Sequence, residues 1–377
     1  GGVVTSNSGE IGLDNAYGNL VLTGTGSRWD VTTNINVGHN GGTGILELIG
    51  QSIVNVGSGS GTTTLGVGPG SYGTLMIGES EYSPDAGVIN AATITSGGGS
   101  ALIQFDTGAT KFSPYYLTKD GTSSGTNVQI TGSVTVSNYG GYNVLGGTNT
   151  YTGGTVLYGG TLVAASNNAL GTGNISFSGG RLSIASGVVI SNPVTFSGSA
   201  TLGGNGTWGS PITVTGGIDL APGNSVGLLT FSSGTTWGVL GNYDVEIQTA
   251  SGARGTGYDS IDVTGGLTFS ATLGSPFTLR LISLNGSGDP GNVGDFNSSI
   301  GYAWLIQKGL DATSDEEPRN IMFVTAPLPA EVLAAEPRIK PIRMPSPQWQ
   351  LVQTPRYKDF TEIVLALEAA GVPMEVH

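Results

Sequence analysis

The sequence has no cysteine, two histidines and little charge: only 10% of its 377 residues are Asp, Glu, Lys or Arg, against roughly 25% in an ordinary soluble domain. Without cysteine there is no disulfide, thiolate metal site, iron–sulfur cluster or cysteine nucleophile. The histidines, His39 and His377, lie far apart, which excludes a zinc site built on two or three of them. A Ser/His/Asp arrangement would have to use His39, whose counterparts in the neighbouring repeats are Leu13 and Pro69, so it reads as a turn residue. No segment approaches the ~18 consecutive apolar residues of a membrane-spanning helix. With 26 acidic against 13 basic residues, the net charge of -13 argues against nucleic acid, whose phosphates need clustered Lys and Arg.

Glycine is abundant instead. It supplies 66 residues, roughly 18% against a usual share of ~7%. Gly costs about 1 kcal/mol at an interior helical position, and Thr, Ser, Asn and Val are middling helix formers, so the alphabet predicts an all-β chain full of turns. No strict three-residue period is kept, which excludes collagen. The distribution of glycine divides the chain. Residues 1–309 hold 65 of the glycines, whereas 310–377 hold only Gly371 but 9 of the 17 prolines and 3 of the 4 methionines, so a boundary is expected near Leu310. A core of this length usually splits into domains unless layers are added along one axis, each touching only its neighbours.

Repeats supply that axis. Ile11-Gly12, then Gly18, Leu20, Leu22 and Gly24, is matched by Val37-Gly38, Gly44, Leu46, Leu48 and Gly50, and again by Val67-Gly68, Gly73, Leu75, Ile77 and Gly78. Each unit reads as a short strand, a glycine turn and a second strand with alternating apolar residues. Leu46 and Leu48 point inward and Glu47 outward, but one unit cannot bury its apolar face alone. Stacking buries it, and the prediction is a solenoid of about a dozen coils at ~4.8 Å per coil.

A second repeat begins near residue 145. Gly147-Thr-Asn-Thr-Tyr151-Thr-Gly153-Gly154-Thr155, continuing through Gly159-Gly160-Thr161-Leu162-Val163 to Asn168-Ala169-Leu170-Gly171, resembles the passenger-associated repeat of bacterial autotransporters over 145–185. The units of 1–85, including Gly24-Thr25-Gly26-Ser27-Arg28-Trp29, are similar to the repeat shared by type V secretion passengers and exported proteins with C-terminal sorting signals. Over 215–305, Leu220-Ala221-Pro222-Gly223-Asn224-Ser225 and Gly257-Tyr258-Asp259-Ser260 look like the closing units of such passengers. The resemblance implies a right-handed parallel β-helix, secreted or held on the outer surface of a Gram-negative-type cell. It also implies a structural role, as an adhesin-like rod meeting surface glycans or as a subunit that assembles with itself into a filament or sheath. Family passengers usually precede a membrane β-barrel, and no such segment occurs within these 377 residues, so a processed passenger, a fragment or another export route is expected.

The tail changes period. Thr354 as cap, Pro355 at the first helical position, and Tyr357, Phe360, Ile363, Val364 and Leu367 on one face before Gly371 and Pro373 predict an amphipathic helix over 354–370. Upstream, Pro327, Pro329, Pro337, Pro341, Pro345 and Pro347 predict an extended strap. Strap and helix either cover an open end of the solenoid or pack on a neighbouring copy, in which case those five apolar residues are the assembly contacts.

Chemistry has few candidates. Asp244 and Glu246 share a strand face, and Asp259 and Asp262 lie close enough to share a turn. Either pair suits a polysaccharide hydrolase, which needs carboxylates about 5 to 9.5 Å apart, while a lyase would also need basic residues. The body has seven, scattered from Arg28 to Lys308, and Asp259 in its glycine turn reads as bonding its own backbone. Calcium has weak candidates in Asp14-Asn15 and in Asp289 to Asp295, without a recognised loop. Tyr139 with Tyr142, Tyr151 with Tyr158, and Tyr115 with Tyr116 read as stacks between coils or as exposed ladders for sugars.

Overall fold

The computed structural model describes residues 1–79, 85–272, 274–297, 304–309, 320–325, 327–346 and 349–355, and then 362, 363, 366, 367, 370, 372, 374 and 375. The chain divides into two units, Gly1–Leu310 and Asp311–His377.

The first unit is built of parallel strands. From Val3 to Asp106 consecutive strands enter three different sheets in turn, whereas from Tyr142 to Ile184 they alternate between the two eight-stranded sheets. Val3–Ser6 pairs with Arg28–Val31, which pairs with Ile53–Val56 and then Val88–Asn90. Gly9–Leu13 is followed in a second sheet by Ile35–His39, Thr62–Val67, Thr93–Ser96 and Gln129–Ile130, while Tyr17–Leu22 opens an eight-stranded sheet that ends at Val194–Phe196. A second eight-stranded sheet runs from Tyr115–Tyr116 to Thr278–Ser283. Sheets of five strands (Val189–Ile190 to Gln307–Gly309) and three (Ile212–Val214 to Leu267–Phe269) complete the unit. Each strand therefore finds its hydrogen bonds a whole repeat away and never with its sequence neighbour, which is the pairing that parallel strands joined by long connections allow.

Alternation along each strand sorts the side chains. In Thr43–Leu48, Gly44, Leu46 and Leu48 are buried while Thr43, Ile45 and Glu47 face outward. Because pairing is in register, like residues stack: Leu22, Leu48, Ile77 and Phe105 form one inward column, and Leu20, Leu46, Leu75 and Ile103 another. The third sequence repeat is shifted by two residues from its expected position. Val37 pairs with Leu65, so Gly66, not Gly68, continues Gly12 and Gly38. Gly38 has φ +70°, and a Cβ there would lie 2.0 Å from the Tyr72 carbonyl oxygen, so the next row leaves room only for glycine.

One inward column turns polar without leaving an unpaired group. Asn138 continues the Leu22 column and is fully buried. Its Nδ2 donates to the Gly159 carbonyl at 2.7 Å, and its Oδ1 accepts from Asn143 Nδ2 at 2.8 Å. Asn143 also donates to the Gly140 carbonyl (2.8 Å), and its Oδ1 accepts from Thr107 Oγ1 (2.7 Å). The network ties the end of Val134–Gly140 to the start of Tyr142–Leu145, where the chain passes from one eight-stranded sheet into the other.

The second unit differs from the expected strap. Lys340–Ser346 and Trp349–Pro355 pair antiparallel, and Asn320–Thr325 pairs with the latter and with Met374–Glu375. Pro341 and Pro345 thus lie within a strand whose register slips at Pro341/Arg343 and Arg343/Ser346, the kind of irregularity that accommodates proline. Thr354 and Pro355 end a strand and do not start a helix. A six-residue helix, Ala330–Ala335, was not foreseen. Glu362, Ile363, Ala366 and Leu367 are helical, but Tyr357, Phe360 and Val364 lie outside the described residues. Ile363 and Leu367 are buried against Leu328, Ile339 and Val352, so they belong to this unit's own core and are not offered to a neighbouring copy.

Replacing Asn143 by Ala leaves Asn138 and Thr107 buried with lost partners. Each such group costs about 1–3 kcal/mol, so Asn143→Ala is expected to lower unfolding free energy by about 3 kcal/mol in urea titrations followed by circular dichroism.

Candidate functional site

Asp244 and Glu246 lie on Asn242–Ile247 and Asp262 on the next strand in sequence, Ser260–Val263, which enters another sheet, with Asp259 immediately before it. Asp244 and Glu246 stand on the outward face of Asn242–Ile247, whose Tyr243, Val245 and Ile247 are buried. The Arg280 guanidinium sits opposite Asp244 in register and grips it through Nε and through Nη2 at 2.9 Å. The same guanidinium reaches Asp219 at 3.1 Å, and Asn242 Nδ2 donates to the other Asp219 oxygen at 2.7 Å. Asp244 is thus one rung of a ladder spanning three rows. On Ser260–Val263, in the five-stranded sheet that ends at Gln307–Gly309, Asp262 is held by Arg254 Nη2 at 2.6 Å, and Arg254 also donates to Ser260 Oγ.

Asp259 is fully buried. It does not bond its own turn, as the sequence suggested. Its Oδ1 accepts the Gly227 backbone N–H at 2.6 Å and its Oδ2 the Glu246 N–H at 2.9 Å, so one carboxyl joins segments 32 and 13 residues away. Burial pushes this carboxyl up to about 8, while the Glu246 and Gly227 N–H groups and Arg181 oppose the rise. Glu246 is half-buried, and burial raises it too, against the pull of Arg181. Among the described residues its carboxylate makes no hydrogen bond.

Arg181, which reads in the sequence only as one of seven scattered cations, is the main residue that sequence reasoning missed. It donates to the carbonyls of Ala221 (2.8 Å) and Gly223, and Asn224 Nδ2 donates to the Tyr142 hydroxyl. The Ala221-Pro222-Gly223-Asn224-Ser225 turn is therefore folded back over the sheet and clamped on strands up to 82 residues earlier. Gly203 makes the room, since a Cβ there would meet Arg181 Nη2 at 2.2 Å. Desolvation lowers the Arg181 pKa, with the Glu246 charge acting against it.

This arrangement holds structure more readily than it moves protons. Asp244, Asp259 and Asp262 have both oxygens engaged. Glu246 alone is left, and glycoside cleavage by acid and nucleophile or base needs two.

The remaining candidates disperse. His39 ends the strand Ile35–His39, opposite Leu13 and Val67 rather than Pro69, and its Nδ1 lies 3.0 Å from Glu10 Oε2. Tyr139 and Tyr158 stack at 4.4 Å and 17°, both partly exposed, whereas Tyr151 and Tyr115 are buried. Asp14 accepts from Asn40, and Asp295 accepts two backbone N–H groups and the Ser251 hydroxyl, which hold it down at about 2. Among the described residues no three His, Asp or Glu side chains gather as a metal site would require. No helix among them is long and apolar enough to cross a membrane.

The Asp259 carboxyl should couple folding to pH. Its folded pKa lies above the ordinary value, so the folded state holds the proton more tightly, and stability is greatest at low pH and falls as pH rises from about 4 to 8. The melting temperature is expected to drop across that window, and Asp259→Asn, which mimics the neutral acid, should flatten the drop. An unchanged slope in the variant would remove Asp259 as its source. Comparison with known proteins adds no constraint, since no family model, curated protein or solved structure matches the chain.

Proposed function

We propose that residues 1–309 form a right-handed parallel β-helix that serves outside the cell as a structural, adhesin-like rod, in the manner of autotransporter passengers. The observation that carries this reading is the use of charge. Three of the four candidate catalytic carboxylates are spent as struts: Asp244 on Arg280 of the next row, Asp262 on Arg254 of the loop before its own strand, and Asp259 on two backbone N–H groups. The pairing of each strand with strands one repeat away supports the winding, because strands that return to the same sheet once per repeat, three to a repeat as far as Asp106, are what one turn of such a helix requires. The eight strands from Tyr17–Leu22 to Val194–Phe196, continued by the three from Ile212–Val214 to Leu267–Phe269, give about eleven rows, roughly 50 Å at ~4.8 Å per row.

A rod requires no chemistry at Glu246. The purified chain, incubated with neutral and acidic polysaccharides, is expected to release neither reducing ends nor unsaturated uronates. Glu246→Gln should leave both results and the melting profile nearly unchanged. Release of either product, abolished by Glu246→Gln, overturns the structural reading in favour of a polysaccharide-cleaving enzyme on the same scaffold.

A further inference from the structure

The outward face of the four-stranded sheet carries two unlike columns side by side. In-register pairing aligns Val3, Arg28, Ile53 and Val88 in one, and Thr5, Asp30, Asn55 and Asn90 in the other. The first is mostly aliphatic. The second is a chain of planar polar groups whose hydrogen bonds along the column run one way, Asn90 Nδ2 donating to Asn55 Oδ1 (3.0 Å) and Asn55 Nδ2 to Asp30 Oδ1 (2.7 Å), while Arg28 Nε donates to Asp30 Oδ2 (2.9 Å) within one strand.

A cleft of about 490 Å³ lies over this ladder. One wall is the turn Gly57-Ser58-Gly59, in which three successive residues have positive φ (55°, 54° and 83°). Gly59 lets the Asn90 amide lie against that wall, since a Cβ there would come within 2.4 Å of Asn90 Oδ1. The wall is pinned from outside by Lys119, whose Nζ donates to the Gly59 carbonyl at 2.5 Å. At the same end Gly121 is placed against Val88, so the loop carrying Lys119 closes the strip beyond the fourth row. Toward Val3 and Thr5, both exposed, the strip is open.

The geometry points to an uncharged glycan chain lying along this strip. The inference rests on the reading of the chain as a displayed adhesin-like protein and names its ligand class. Charge decides against an anionic sugar, because the one cation lining the cleft, Arg28, is already neutralised by Asp30. Apolar side chains decide against a hydrophobic peptide, because Val31, the aliphatic residue of the lining, is buried at 2% exposure. What remains on offer is a second amide hydrogen on Asn55 and on Asn90, spare lone pairs on both Asp30 oxygens, and the Ser58 and Thr32 hydroxyls. A pyranose matches that set, since its hydroxyls both donate and accept. The groups that would bind it hold one another in place beforehand, so little side-chain entropy is lost on binding.

Isothermal titration of the full chain with cellohexaose, laminarihexaose and maltohexaose, and with hexagalacturonate as the anionic comparator, tests the assignment. At least one neutral hexasaccharide is expected to bind, and hexagalacturonate to bind at least about tenfold more weakly. Asn55→Ala should weaken the neutral sugar about tenfold or more. Asn36→Ala removes a comparable contact between rows on the five-stranded sheet (Asn36 Nδ2 to Glu10 Oε1, 2.8 Å) and should leave affinity unchanged. Asn90→Ala, at the end of the ladder, repeats the measurement if Asn55→Ala lowers the melting temperature. Absence of neutral-sugar binding, tighter binding of hexagalacturonate, or undiminished affinity in both ladder variants overturns the assignment and leaves the structural reading standing. Cleavage of the sugars in the calorimeter cell overturns the structural reading itself.

Discussion

Every strand of the first unit is satisfied only by strands one repeat before and after it, in parallel and in register. Parallel pairing places identical positions of successive repeats above one another, so each position is chosen for what stacks on itself as well as for burial. Leu22, Leu48, Ile77 and Phe105 satisfy this by filling one continuous apolar column. Within the strands the same constraint acts on the backbone. Gly12, Gly38 and Gly66 occupy equivalent places with positive φ, and a Cβ on any of them would collide with the backbone of the row above.

The scarcity of charge follows from the same constraint. Two like charges stacked at ~4.8 Å repel by about 1 kcal/mol even at the dielectric of water, and by several times that where they are partly buried. A repeat that simply copied an acidic residue would accumulate that cost at every row. The outward ladders avoid it by alternating acid with amide or with arginine: Asp14 with Asn40, Glu10 with Asn36, Asp30 with Asn55, Asp219 with Asn242, Asp244 with Arg280. Most of the missing charge is replaced by Thr, Ser and Asn, which bond to their own kind without regard to sign.

Parallel all-β structure was legible in the sequence because it rests on alternation and on glycine spacing, both local. Register was less so. The third repeat was displaced by two residues because Val67-Gly68 imitates the Val37-Gly38 pair, and only the pairing of Val37 with Leu65 distinguishes them. The carboxylates could be found but not their roles: whether Asp259 bonds its own turn or reaches the N–H groups of Gly227 and Glu246 depends on contacts 13 and 32 residues distant. Arg181 gave no signal, since its partners are backbone carbonyls, which every residue carries. In the second unit the prolines, and the start of the helix expected at Thr354, misled for a physical reason. Proline fixes φ in a range that strands share with extended coil, so a proline-rich segment reads the same whether or not a partner strand lies beside it.

These constraints bear on what such a scaffold can do. Catalysis needs a charge left unbalanced in a protected place, and three of the four candidate carboxylates are instead engaged, Asp244 by Arg280 of the next row, Asp262 by Arg254 beside its own strand and Asp259 by two backbone N–H groups. Recognition of an uncharged, hydroxyl-bearing polymer needs the opposite: repeated neutral donors and acceptors, fixed in direction and presented along one line. The ladder from Asn90 through Asn55 to Asp30 has that character because stacking commits one donor of each amide, and the acceptor of Asn55, along the row axis. The remaining valences therefore have fixed directions too. The scarcity of charge is in this way the property by which the proposed glycan site is built from neutral amides and hydroxyls.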